Sequence, residues 1–210
     1  MNHTIEQLMT AAYELFPKGM QGDEPGYADT PEVKNQRRAT AKARASHAAW
    51  RSVLRALEET YPEKQFPGVS VQNLSMGLLA EHGDADDRCF AANLWLPTRG
   101  TDEHAHYILF RVSFVVPYFS IHSTSLKYTD VYFTTMRLAP GALRAYDSPM
   151  LSEDELPFGR KIDEAIRAAF PGYEAMSTSV GNTIVPDIVV GGHFFGEATL
   201  FDALFSVHWR

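Results

Sequence analysis

The 210-residue sequence predicts an α+β fold, with N-terminal helices packed on a mainly antiparallel four- to six-stranded sheet and further helices near the C-terminus. Three observations carry this expectation. Residues 31–61 form a glycine-free stretch rich in Ala, Arg, Lys and Leu, with no proline after Pro31. From 69 to 138 the sequence changes to short runs of β-branched and aromatic residues, the composition of strands. The connections between those runs are too short for helical crossovers and favour antiparallel neighbours. The chain reads as a single α+β domain over 1–210, with a helical part (1–62), a sheet part (69–138) and a mixed C-terminal part (139–210). Apolar types make up 45% and charged types 21%, ordinary globular usage that supports a core at this length without a disulfide or structural metal.

In chain order, Thr4 is placed to cap a first helix, because Ile5, Leu8, Met9, Ala12, Leu15 and Phe16 recur at helical spacing and Pro17 stops it. Residues 18–29 carry Gly19, Gly22, Pro25 and Gly26 and read as a loop. Thr30-Pro31 then opens a long basic amphipathic helix over 31–61. Ala43, His47, Trp50, Leu54, Leu57 and Tyr61 share one side of it, and Arg37, Arg44, Arg51 and Arg55 lie opposite. Strand-like runs follow at 69–79, 89–96 and 107–116, then from Tyr118 and from Val131. Pro117 has to mark a bend, since one strand over 107–128 would be about 70 Å long. Arg160 to Phe170 is a helix ended by Pro171-Gly172, and 183–190 is an edge segment interrupted by Pro186. Leu200, Phe201, Leu204, Phe205 and His208 suit a helix face, although 199–207 is also compatible with a strand.

The net charge is −7. Lys34, Arg37, Arg38, Lys42, Arg44, Arg51 and Arg55 face a single acid, Glu32, between 32 and 57, so the remainder of the chain is more acidic than the net figure. Such a body repels phosphate backbones and attracts basic partners, so no nucleic acid is expected and the arginine stripe reads as a solvated face. The lone Cys89 excludes an intrachain disulfide and a four-cysteine zinc site, and fits a reducing, cytoplasmic setting. The opening Met-Asn-His-Thr-Ile-Glu lacks a basic region followed by a long apolar stretch, and no run approaches the ~18 apolar residues of a membrane span. Neither signal peptide nor membrane association is therefore expected. Gly-x-Gly-x-x-Gly, Walker-type and Gly-x-Ser-x-Gly patterns are missing from the sequence, and no cofactor is expected.

Two constellations could carry chemistry. His104 and His106 would share one face of a strand and could hold a metal if Asp102 or another histidine joined them. His122 is the obvious further ligand. A tight hairpin centred on Pro117-Tyr118 would set Ser113 opposite His122, leaving His106 seven residues, or about 23 Å, away. Asp187 and His193 flank Gly191-Gly192, with Glu197 following, an acid/base set on a flexible loop. Cys89, beside Phe90 in a strand, reads as a small buried hydrophobe. Acidic clusters at Asp84, Asp86 and Asp87, at Asp102 and Glu103, and at Glu153, Asp154 and Glu155 would form a cation-seeking surface if they converge. Tyr118, Phe119 and Tyr128 could anchor a partner on the strand surface.

The segments Val185-Pro-Asp187, Gly196-Glu-Ala-Thr-Leu-Phe-Asp-Ala-Leu-Phe-Ser206 and Val116-Pro-Tyr118 resemble little-characterised bacterial proteins, some of which are similar to immunity proteins from toxin loci. The resemblance implies a cytoplasmic, non-enzymatic protein that neutralises a cognate toxin by occupying its surface. The expected function is accordingly an immunity-like inhibitor binding a basic toxin domain through Asp84, Asp86, Asp87, Asp102, Glu103 and Tyr118. Two alternatives stay open. One is a small metal-dependent hydrolase working at His104 and His106 or at Asp187 and His193; the other is a self-associating structural protein.

Overall fold

The computed structural model describes residues 3–75, 88–96, 104–127, 151–191 and 193–205. Among them are six helices and a five-stranded sheet, an α+β architecture. The strands β1 (Ser70–Asn73), β2 (Cys89–Trp95), β3 (His104–Ser113), β4 (Tyr118–Lys127) and β5 (Glu174–Ala175) lie side by side in that order. The first four pair antiparallel as expected. β5 is a two-residue strand parallel to β4, which makes the sheet mixed. Strand-like runs placed at 76–79 and from Val131 lie outside the described residues.

The two faces of the sheet follow from strand alternation. Phe90, Ala92 and Leu94 of β2, Ile108, Phe110 and Val112 of β3, and Phe119 of β4 form one core with two helices, α3 (His47–Thr60) and α4 (Leu156–Ala169). Cys89, Ala91 and Tyr118 belong to the opposite core, with α1 (Ile5–Tyr13) and α6 (Leu200–Phe205). Thr4 caps α1 through a reciprocal pair with Gln7: the Thr4 hydroxyl accepts from the Gln7 amide and the Gln7 side chain accepts from the Thr4 amide. At the start of α4, Glu155 is buried and accepts from Ser123 of β4 as well as from the amide and hydroxyl of Ser152. It is therefore a docking peg and not part of an open acidic surface.

The basic stretch 31–61 is two helices, not one. α2 (Pro31–Ala45) ends at Ser46, whose φ of −88° and ψ of 3° leave the helical range, and α3 starts at His47. The cause is tertiary. Asn35 and Gln36 donate to the carbonyls of Glu14 and Leu15, tying α2 to the end of α1. Trp50 must meanwhile point into the sheet core, where it is completely buried. The apolar side foreseen for this stretch is otherwise observed, and Arg37, Arg51 and Arg55 are exposed.

The C-terminal region adds α5 (Thr178–Gly181), capped by Ser177, which sequence periodicity did not suggest, and resolves 200–205 as helix. Residues 183–190 form isolated bridges, Ile184 with Thr199 and Val190 with His193, and no named strand. A Cβ at the buried Gly181 would overlap the ring of Phe201 on α6. Gly181→Ala should therefore destabilise the fold by about 1–3 kcal/mol, as overpacking does, measured as a lower urea midpoint. A neutral result would contradict the α5–α6 contact.

Candidate functional site

A groove of about 590 Å³ opens between the end of α1, the 21–28 loop, α2 and the 189–195 loop, within the size range of sites that hold ligands or partner side chains. Phe16, Tyr27, Gln36, Arg37 and Arg88 line it on one side, and His193, Phe194 and Phe195 on the other. Arg88 is only 2% exposed, donates to the Asp202 carbonyl at 3.1 Å and lies 4.8 Å over the Phe16 ring. A buried arginine of this kind ties the segment that follows α1 to α6.

The 189–196 loop is braced. Glycines in the left-handed region, Gly191 (φ 59°) and Gly196 (φ 79°), turn the chain. The His193 amide donates to Val190, the Gly196 amide to Pro186, and the Glu197 carboxylate accepts from the Phe194 amide at 3.0 Å. Held on this frame, Phe194 is 70% and Phe195 41% exposed. Two adjacent aromatic rings presented to solvent by a fixed turn are a contact surface in waiting. The sequence shows the glycines that frame the turn but not the exposure of the two rings, which depends on the Glu197 and Pro186 contacts.

His193 meets Asp202, not Asp187. Its Nε2 lies 3.5 Å from Asp202 Oδ1, with both side chains substantially exposed. Asp202 already has a structural task. Its Oδ2 accepts from the amide and hydroxyl of Thr199 while its own amide donates to the Thr199 hydroxyl, a reciprocal cap on α6. Asp187 takes the Gly19 amide on its carbonyl, and the carboxylate of Glu197 is committed to Phe194. The acid/base set Asp187, His193 and Glu197 is thus dispersed over three separate local tasks.

The histidine pair fares similarly. His104 and His106 both belong to β3, and His106, by alternation, lies on the α3/α4 face with Ser125 opposite it. His122 pairs with Leu109, three residues from the His106 position and on the other face. The hairpin is not centred on Pro117-Tyr118: the turn occupies 114–117, where Ser113 Oγ accepts from the amides of Val115 and Val116. Among the described residues no group of His, Cys, Asp and Glu could hold a metal ion. Tyr118, expected on an open partner surface, is instead 7% exposed with its hydroxyl accepting from the His3 amide at 3.1 Å, and belongs to the core. Asp84, Asp86, Asp87, Asp102 and Glu103 lie outside the described residues.

A second polar feature was not foreseen. Asn93, Ser120, His122 and Thr124 are all buried, and each has a side-chain atom without a hydrogen-bond partner: Asn93 Oδ1, Ser120 Oγ, His122 Nδ1 and Thr124 Oγ1. Each such atom costs about 1–3 kcal/mol. Burial, helped by the neighbouring Arg111 charge, pushes the His122 imidazole down to about 4. The sequence signal was Ser120, His122 and Thr124 at alternate positions of one strand, all on one face.

No helix among the described residues is long and apolar enough to cross a membrane. Comparison with protein-family models, curated proteins and solved structures finds no match to this chain.

Proposed function

We propose that this chain is a non-enzymatic, cytoplasmic binding protein, an immunity-like inhibitor that docks a basic toxin domain at the groove rim formed by Phe194 and Phe195. The exposure of these two rings on a hydrogen-bonded turn beside a groove is the observation that carries the reading. Rigid aromatic anchors lose little entropy on binding and dominate interface energetics. Charge supplies the partner's sign: residues 172–205 include Glu174, Asp187, Glu197 and Asp202 and no Lys or Arg, and residues 21–29 include Asp23, Glu24 and Asp29 and no base. Carboxylates around an aromatic centre steer a cationic partner and discriminate against acidic ones. In this reading the acidic residues Asp84, Asp86, Asp87, Asp102 and Glu103 contribute to the negative charge that attracts the partner. The experiment is co-expression with the product of the adjacent gene, with the wild-type chain and with Phe194→Ala/Phe195→Ala. The wild-type chain should protect the cells and co-purify as a complex, and the double variant should do neither while remaining folded. Failure of the wild-type chain to form any complex would overturn the proposal.

A further inference from the structure

The partnerless polar atoms of the sheet occur together. Ser120, His122 and Thr124 alternate along β4 and so point to one face, the face of Leu109 and Arg111 on β3 and Asn93 on β2. The register places Asn93, Leu109 and His122 in one row across the strands and Arg111 beside Ser120 in the next. Asn93, Ser120, His122 and Thr124 are 4%, 1%, 6% and 4% exposed, and none of the four atoms named above has a partner. Native interiors leave few such atoms, and four on one patch of one sheet face call for a common cause.

Their chemistry points to one class of occupant. The hydroxyls of Ser120 and Thr124 can donate, His122 can carry its proton on Nδ1, and the Asn93 amide can turn its NH₂ to where its oxygen stands. No carboxylate belongs to the set, and Arg111 contributes positive charge from the adjacent position while making contacts of its own. A cluster able to donate throughout, with a cation alongside, is complementary to a negative group. We propose that Ser120, His122, Thr124 and Asn93 form a binding site for a small oxyanion, a carboxylate or a phosphate, beneath Phe201. Ser120 and Thr124 lie about 13 Å apart along the strand, too far for one such anion to meet both hydroxyls, so it is held by His122 and Asn93 together with one of the two. The Phe201 ring stands edge-on to His122 with centroids 5.1 Å apart and is only partly buried, so rotation of that side chain is the route of entry. This site is on the sheet, involves neither Phe194 nor Phe195, and stands or falls independently of the proposed partner surface.

The test uses the full chain at neutral pH, titrated with sodium phosphate and with sodium acetate against sodium chloride at equal ionic strength. Thermal unfolding and the His122 imidazole resonance are followed together. Thr124→Val and Ser120→Ala serve as variants, because each removes an unmatched hydroxyl and should fold at least as stably as the parent. A saturable rise in Tm with a matching His122 shift is expected, with acetate alone indicating a carboxylate site and phosphate alone a phosphate site. The variant that removes the hydroxyl in contact with the anion should weaken that binding about tenfold or more, the effect of one charge-assisted hydrogen bond, and the other should leave it unchanged. No saturable effect beyond chloride, or an effect unchanged in both variants, would overturn the proposal and leave ordered water as the occupant of the row.

Discussion

Trp50→Ala is expected to remove about 3–5 kcal/mol of stability, the range for deleting a fully buried aromatic. Against a typical total of about 5–15 kcal/mol, that loss leaves a large unfolded fraction or none folded. Trp50 has no exposed surface and stacks on Phe90 with centroids 5.4 Å apart and planes 11° from parallel, while meeting Phe110 at 5.7 Å. Its indole Nε1 donates to Asn73 Oδ1, the same oxygen that accepts the Ser75 amide. One side chain therefore joins α3 to β1, β2 and β3. Trp50→Phe keeps most of the apolar contact, loses the indole donor and should cost less than the alanine variant. Urea denaturation reads both effects as a lower midpoint at unchanged slope. A loss below about 1 kcal/mol for the alanine variant, outside the range for such deletions, would contradict the docking of α3 on the sheet.

His122 should make the fold acid-sensitive. Its imidazole, held by burial and by the Arg111 charge at about 4, stays neutral in the folded state where an unfolded histidine, near 6.5, has already taken a proton. Between those values the unfolded chain binds more protons, so stability is fully present above about pH 6.5, declines as pH falls toward 4 and levels off below. The interval corresponds to roughly 3 kcal/mol. His122→Phe, which removes the ionisable group and keeps a ring against Phe201, should flatten that part of the profile. Denaturation midpoints of both proteins at pH 7, 5.5 and 4 check this. Parallel profiles would mean that His122 does not govern the acid limb.

The elements read most directly from the sequence are those decided by neighbours in the chain. Thr4 and Gln7 set the start of α1, and the alternation of Phe90, Ala92 and Leu94 against Cys89 and Ala91 sets the two faces of β2. What escaped is decided by residues distant in sequence. Nothing in the composition of 31–61 stops a helix at Ser46; the break comes from Gln36 bonding to Leu15 and Trp50 reaching the sheet. β5 is two residues long, too short to show a period. The hairpin register depended on which residue closes the turn, and Ser113, not Pro117, does so. That shift moves the row facing His122 from Ser113 to Leu109, three residues from His106 instead of seven, and being an even number of residues it leaves the two histidines on opposite faces. At the candidate site, the Gly-rich frame around His193 was visible, but its partner, Asp202, belongs to the capping of a helix that the sequence left ambiguous. The value of Phe194 and Phe195 lay in their exposure, which depends on the Glu197 and Pro186 contacts holding the turn.

Calorimetric titration of the adjacent gene's product with the purified wild-type chain and with Phe194→Ala/Phe195→Ala weighs the binding reading against every other. Loss of both rings should raise Kd by at least about 30-fold, the scale of one hot-spot residue, with Tm unchanged because both side chains are exposed. An equal Kd for the two proteins, or no heat of binding with either, would contradict it.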